Sequence, residues 1–156
     1  MPHDAGDGNR LERIARLAAS WFGVGHFPFG PGTLAALSIW PLHWLLSGQT
    51  RALEVFLVTA IAVLGFWAAD RAALSLGQHD PPEIVIDEAA GAFLALAIAS
   101  GHGLFGDFLA LALFRLFDIY KPWPVIALER LENRGAAIML DDLAAGALAG
   151  AFVSLI

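Results

Sequence analysis

The sequence predicts an all-α fold: a small integral membrane bundle of about four to five membrane-associated helices, with a further N-terminal helix at the interface. Three observations carry this expectation. Apolar residues make up 58% of the 156-residue chain, against roughly 45 to 50% in soluble domains even when glycine is counted. Only 15% of the residues are charged, where about 25% is usual. Those charges gather in a few short stretches separated by long charge-free runs, the pattern expected when the intervening segments are solvated by lipid.

The length fits a single domain over residues 1–156, with a polar segment at 1–20. A net charge of −6 argues against nucleic acid as a partner. Cysteine is absent, which removes disulfides, thiolate metal sites and a phosphocysteine intermediate together. The first nine residues are polar and acidic, and the late, broken apolar run after them does not read as a cleaved signal peptide.

Over residues 11–22, Leu11, Ile14, Leu17, Ala18 and Trp21 recur at helical spacing, with Arg10, Arg13 and Arg16 on another stripe. Such a helix lies on an anionic leaflet, or packs as an ordinary amphipathic helix on the rest of the protein. A glycine-proline loop at 23–32 precedes an apolar helix at about 33–46. Further apolar segments follow at about 52–69, 89–100, 104–117 and 143–156. Several fall short of the ~20 residues that cross a bilayer, so either they extend through their polar flanks or some are only partly inserted. With the N-terminus cytoplasmic, alternating crossings put Arg51 and Asp107 outside and every other polar motif inside, in accord with the positive-inside rule. Near the end, Gly146 and Gly150 have the spacing that lets helices approach closely, within the bundle or between chains of a homo-oligomer.

Four polar constellations interrupt the apolar runs. The first holds His79, Asp80, Pro81, Pro82, Glu83, Asp87 and Glu88. Four carboxylates so close together repel unless a cation or a basic partner neutralises them, and hard oxygen ligands imply Mg2+. Asp80, Pro81 and Glu83 also match a helix-capping box, which makes Glu83 structural and leaves Asp80 open. Asp87 and Glu88 have no such explanation. In the second, Arg115, Asp118 and Lys121 repeat every three residues before Pro122, Trp123 and Pro124. On one helix side the two cations suit a phosphate, with Asp118 orienting the arginine or binding metal, or the group is a helix-end ion pair anchored at the interface. The third is the pair Asp141 and Asp142 before a small-residue helix, metal ligands or in part a cap. The fourth is the loop ending in Pro31, Gly32 and Thr33, whose backbone N–H groups suit a phosphate oxygen unless Thr33 is simply an N-cap.

These pieces in this order resemble the phosphatidylglycerophosphatase A family: Pro31-Gly32-Thr33, His79-Asp80 with Asp87-Glu88, the run from Phe114 through Arg115, Asp118 and Lys121 to Pro124, and Asp141-Asp142. The match covers most of the chain beyond residue 20. The resemblance implies a Mg2+-dependent phosphatase that converts phosphatidylglycerophosphate to phosphatidylglycerol at the cytoplasmic face of the bacterial inner membrane. It points to Asp87, Glu88, Asp118 and Asp142 for catalysis, and to Arg115, Lys121, Gly32, Thr33 and His79 for binding the substrate. Asp80, Asp87, Glu88, Asp141 and Asp142 are the candidate Mg2+ ligands. The Lys-x6-Arg-Pro and Ser-Gly-His signatures of the other common membrane lipid phosphatases are absent, as is the haloacid-type Asp-x-Asp. The competing reading is a small membrane transporter or cation-binding bundle that uses the acidic cluster.

Overall fold

The computed structural model describes residues 5–46, 48–128 and 131–156, so the first four residues of the polar N-terminus lie outside the described part. The described residues are helical and carry no strand. Their helices are α1 (Ala5–Ala19), α2 (Pro31–Leu46), α3 (Arg51–Leu76), α4 (Ile86–Ile98), α5 (Gly103–Tyr120), α6 (Val125–Leu128) and α7 (Arg134–Ser154).

Helix α4 is the axis of the bundle, with ten of its thirteen residues buried and α2, α3, α5 and α7 packed around it. Its sequence explains that position, because alanine and glycine on every side let neighbours approach from every side. The closest approach is to α7. A Cβ on Gly146 would stand 2.2 Å from the Gly91 carbonyl oxygen, and one on Gly150 2.8 Å from that of Ala95. The two helices therefore run parallel in backbone contact, and the Gly146/Gly150 spacing is used inside the bundle. Helix α3 crosses α7 in the opposite sense, since Gly65 meets Met139 and Gly135 meets Asp70.

Helices α3 and α7 are long and apolar enough to cross a membrane, with mean hydropathies of 2.1 and 1.6. The polar flanks do extend the apolar segments. Helix α3 continues past residue 69 through Asp70 and Arg71, α5 carries Arg115 and Asp118, and α7 opens well before Asp141. Helix α1 combines its two expected placements. Ala15, Ala18 and Ala19 are buried where it packs on α3, and Arg16 Nε donates to Ser75 Oγ at 2.9 Å. Leu11, Ile14 and Leu17 remain about half exposed.

Three local expectations are corrected. The capping box at Asp80 and Glu83 does not form. Two adjacent prolines break the chain into turns there, and the Val85 N–H donates instead to the Ala19 carbonyl, so α4 starts only at Ile86. Thr33 is not an N-cap, because Pro31 already occupies the first turn of α2. Neither Asp141 nor Asp142 caps α7, whose N-cap is Asn133, accepting from the Ala136 N–H at 2.8 Å.

At the end of the bundle that holds Arg51 and Asp107, buried His43 links three helices. Its Nδ1 lies 2.8 Å from Glu54 Oε1, and its Nε2 lies 3.5 Å from Asp107 Oδ1. Arg51 pairs with Glu54 at 2.9 Å, and Trp40 Nε1 donates to Asp107 at 3.2 Å. Removing one partner of a buried pair strands the other without water. Glu54→Ala is therefore expected to lower unfolding free energy by about 3 kcal/mol, measured by equilibrium unfolding in detergent micelles. An unchanged stability means that water already reaches the cluster.

Candidate active site

The opposite end of the bundle gathers the polar motifs. Asp87 and Glu88 stand in the first turn of α4, and Arg115 and Asp118 in the last two turns of α5. Lys121 caps α5 in a left-handed conformation, φ 43° and ψ 61°, and Pro122 prevents the helix from continuing. Asp141 and Asp142 lie within α7, brought level with α4 by the Gly91–Gly146 contact. A Cβ on Gly91 itself would come 2.6 Å from the Asp142 carbonyl oxygen.

Asp87, Glu88 and Asp142 each present a carboxylate oxygen, and the three oxygens lie within 4.8 Å of one another. Around them the charges are paired in an orderly way. Arg115 Nη1 holds Asp118 Oδ2 in a short hydrogen bond and lies 3.6 Å from Glu88 Oε1. Lys121 Nζ donates to Asp141 Oδ2 at 2.7 Å, and Asp141 Oδ1 accepts from the Asp142 N–H at 3.0 Å. Gly32 touches the Glu88 side chain so closely that a Cβ there would fall 1.9 Å from Oε1. The amino-terminal turn of α2 thus faces a carboxylate, the favourable sense for the helix dipole. Thr33, one residue on, is exposed.

Four buried atoms at this site lack a hydrogen-bond partner: Asp87 Oδ1, Glu88 Oε2, Asp142 Oδ2 and Arg115 Nε. Three are acceptors that demand positive charge and one is a donor that demands an acceptor, a combination that an apolar interior penalises heavily. Burial pushes the Asp87 carboxyl well above its ordinary range, reinforced by the charges of Glu88, Asp142 and Asp80. Burial likewise raises Glu88, partly opposed by the positive charge of Arg115. The donor set is all hard oxygen with room to converge, which fits a divalent cation such as Mg2+.

Not every expected residue sits in this knot. Asp80 is exposed on the turn before α4, near enough for its charge to act on Asp87. His79 is exposed beside it. Asp141 is bonded to Lys121, outside the group of three oxygens that converge.

A family model described as phosphatidylglycerophosphatase A matches residues 17–156. The chain belongs to the phosphatidylglycerophosphatase A family. It is 33% identical over 143 residues to phosphatidylglycerophosphatase A of Escherichia coli K12, covering 90% of this chain and 81% of that one. It is 35% identical over 147 residues to phosphatidylglycerophosphatase A of Haemophilus influenzae, covering 89% of each. A Bacteroides thetaiotaomicron protein provisionally named phosphatidylinositol-3-phosphatase is 35% identical over 137 residues, 83% of this chain and 85% of that one. No solved structure matches. Membership of the phosphatidylglycerophosphatase A family makes the chain a lipid phosphatase. It also gives the convergence of motifs a chemical purpose.

One contributor escaped the sequence reading. Gly91 was not singled out, although it lies one turn after Asp87 in an alanine-rich run and lets α7 approach. Gly32 was expected to offer its amide to phosphate, whereas the close contact it makes here is with Glu88.

Proposed function

We propose that the protein hydrolyses the terminal phosphomonoester of phosphatidylglycerophosphate to phosphatidylglycerol and inorganic phosphate, with Mg2+ as cofactor. The observation that carries this reading is the juxtaposition of three orphaned carboxylate oxygens with one orphaned arginine N–H. The first group calls for a cation and the second for an anion, and a phosphate ester with its metal satisfies both. Asp87, Glu88 and Asp142 are the residues to hold Mg2+, with Asp80 and Asp141 as outer contributors. When bound, such an ion neutralises phosphoryl oxygens and lowers the pKa of a coordinated water.

The chain's own groups account for the rest. Arg115 offers a planar fork to two phosphoryl oxygens, and its Nε is free to take part. Lys121 adds a point charge from the end of α5 while tied to Asp141. Asp118 grips Arg115 and fixes the guanidinium plane, a role that favours in-line attack by water over an aspartyl-phosphate. In the net reaction, water oxygen bonds to phosphorus, the ester P–O bond breaks, and the glycerol oxygen leaves with a proton.

The surface supports a bilayer setting. Trp44, Phe56, Val63, Phe105 and Phe108 are each at least half exposed on α2, α3 and α5, a band that lipid covers at no cost. With the site at the cytoplasmic face of the inner membrane, Arg51 and Asp107 fall on the far side.

Purified protein in vesicles is expected to release phosphate from phosphatidylglycerophosphate in Mg2+ and to stop when the metal is chelated. Phosphatidylinositol 3-phosphate and phosphatidic acid in parallel vesicles read the headgroup preference. Cation flux without phosphate release would overturn the enzyme reading in favour of a transporter.

A further inference from the structure

Helices α2 and α5 run side by side but leave a seam open to the outside, and the seam leads away from the charged site. The end nearest the charged site is lined by Thr33 on α2 and by Arg115 on α5, which turn almost wholly apolar surface toward it. From there a cleft of about 160 Å³ runs between Leu37 on one wall and Phe108 and Ala112 on the other. A second cleft, about 290 Å³, follows along the same two helices between Trp44 and Leu104. Trp40, which lines the second cleft, and Phe108, which lines the first, stack edge to face with 6.2 Å between ring centroids. The wall positions recur every three or four residues on each helix, so the seam follows the helix axes for about 16 Å at 1.5 Å per residue. Its walls are almost wholly apolar throughout.

We infer that this seam seats one acyl chain of the lipid phosphate whose headgroup Arg115 receives, an inference that rests on the function proposed above. The argument is one of connection and charge. A phosphate bound by the Arg115 guanidinium is covalently tethered to its own acyl chains through the glycerol and phosphodiester between them, and the Arg115 side chain lines the near end of the seam. The guanidinium suits the headgroup and the apolar walls beyond it suit the tail, in the order in which the lipid carries them. Moving a chain from bulk lipid into an apolar seam gains little transfer free energy, because lipid tails are already apolar. The seam therefore acts by orientation, holding the ester bond in register with the site.

Two measurements test it. Ala112→Trp and Leu37→Trp each fill an exposed wall of the seam, and Val63→Trp adds the same bulk on an exposed part of α3. Each seam variant is expected to lose about tenfold or more in kcat/KM on the long-chain substrate and to match wild type on the same headgroup carried by glycerol without acyl chains. Val63→Trp is expected to behave as wild type on both. Equal losses on the two substrates, or none on either, overturn the inference. The second measurement needs no turnover: in chelator, a lipid phosphate with a photoreactive group in mid-chain is expected to label Leu37, Phe108 or Ala112. Equal labelling of α3, or the same pattern from phosphatidylcholine bearing that chain, overturns the inference by showing bulk lipid in the seam. Wild type that labels the seam but releases no phosphate refutes the proposed reaction while leaving the subsite standing.

Discussion

Replacing Asp87 by asparagine is expected to lower phosphate release by at least about a hundredfold, because even residues that merely orient metal ligands are worth 10- to 100-fold. The same change is expected to leave the metal-free protein at least as stable as wild type. Three carboxylate oxygens lie within 4.8 Å of one another, each from a residue with a partnerless buried oxygen, so deleting one charge relieves repulsion. Metal linkage separates the two effects. If Mg2+ is the cofactor, wild type at a hundred times its Kd is expected to gain about 2.7 kcal/mol of stability, and Asp87→Asn to show little of that gain. Thermal unfolding in detergent, with and without Mg2+, reads the stability, and phosphate release reads the activity. Near-normal turnover, or a marked drop in the metal-free Tm, would mean that Asp87 is a structural hydrogen-bonding group and that the cation site lies elsewhere.

Much of this site was legible in the sequence because burying charge in an apolar chain has few physical solutions. Acids at Asp87, Glu88 and Asp142 beside charge-free segments need a shared partner, and the fold brings them together at one end of the bundle. Helix ends were harder to read. The motif around Asp80 has every local mark of a capping box, yet the Val85 N–H is claimed by Ala19, some sixty residues away in sequence. A tertiary hydrogen bond of that kind leaves no local trace. The His43 cluster was missed for the same reason: His43, Glu54 and Asp107 are isolated in sequence, and only the packing of α2, α3 and α5 joins them. Gly91 is a third case, since its lack of a side chain matters only once α7 lies against it.

Substituting Arg115 by lysine is expected to cost on the order of a thousandfold in kcat/KM, the lower end of what a phosphate-clamping arginine supplies in phosphoryl transfer. The charge survives, so the loss measures geometry. A lysine ammonium cannot hold Asp118 and Glu88 and still present a planar pair of donors to phosphate, whereas Arg115 does the first with Nη1 and keeps Nε unengaged. Asp118→Asn then separates the two roles open to that aspartate. If Asp118 orients the guanidinium, the amide keeps one hydrogen bond, and the loss should stay within about 10- to 100-fold. If Asp118 attacks phosphorus, Asp118→Asn should be as damaged as Arg115→Lys or worse, and wild type briefly mixed with labelled substrate should retain phosphate on the protein. Single-turnover assays of both variants, with an acid quench to trap any phosphoenzyme, decide between them. The hydrogen bond from Arg115 to Asp118 favours the first outcome, because a carboxylate already committed to a guanidinium makes a poor nucleophile.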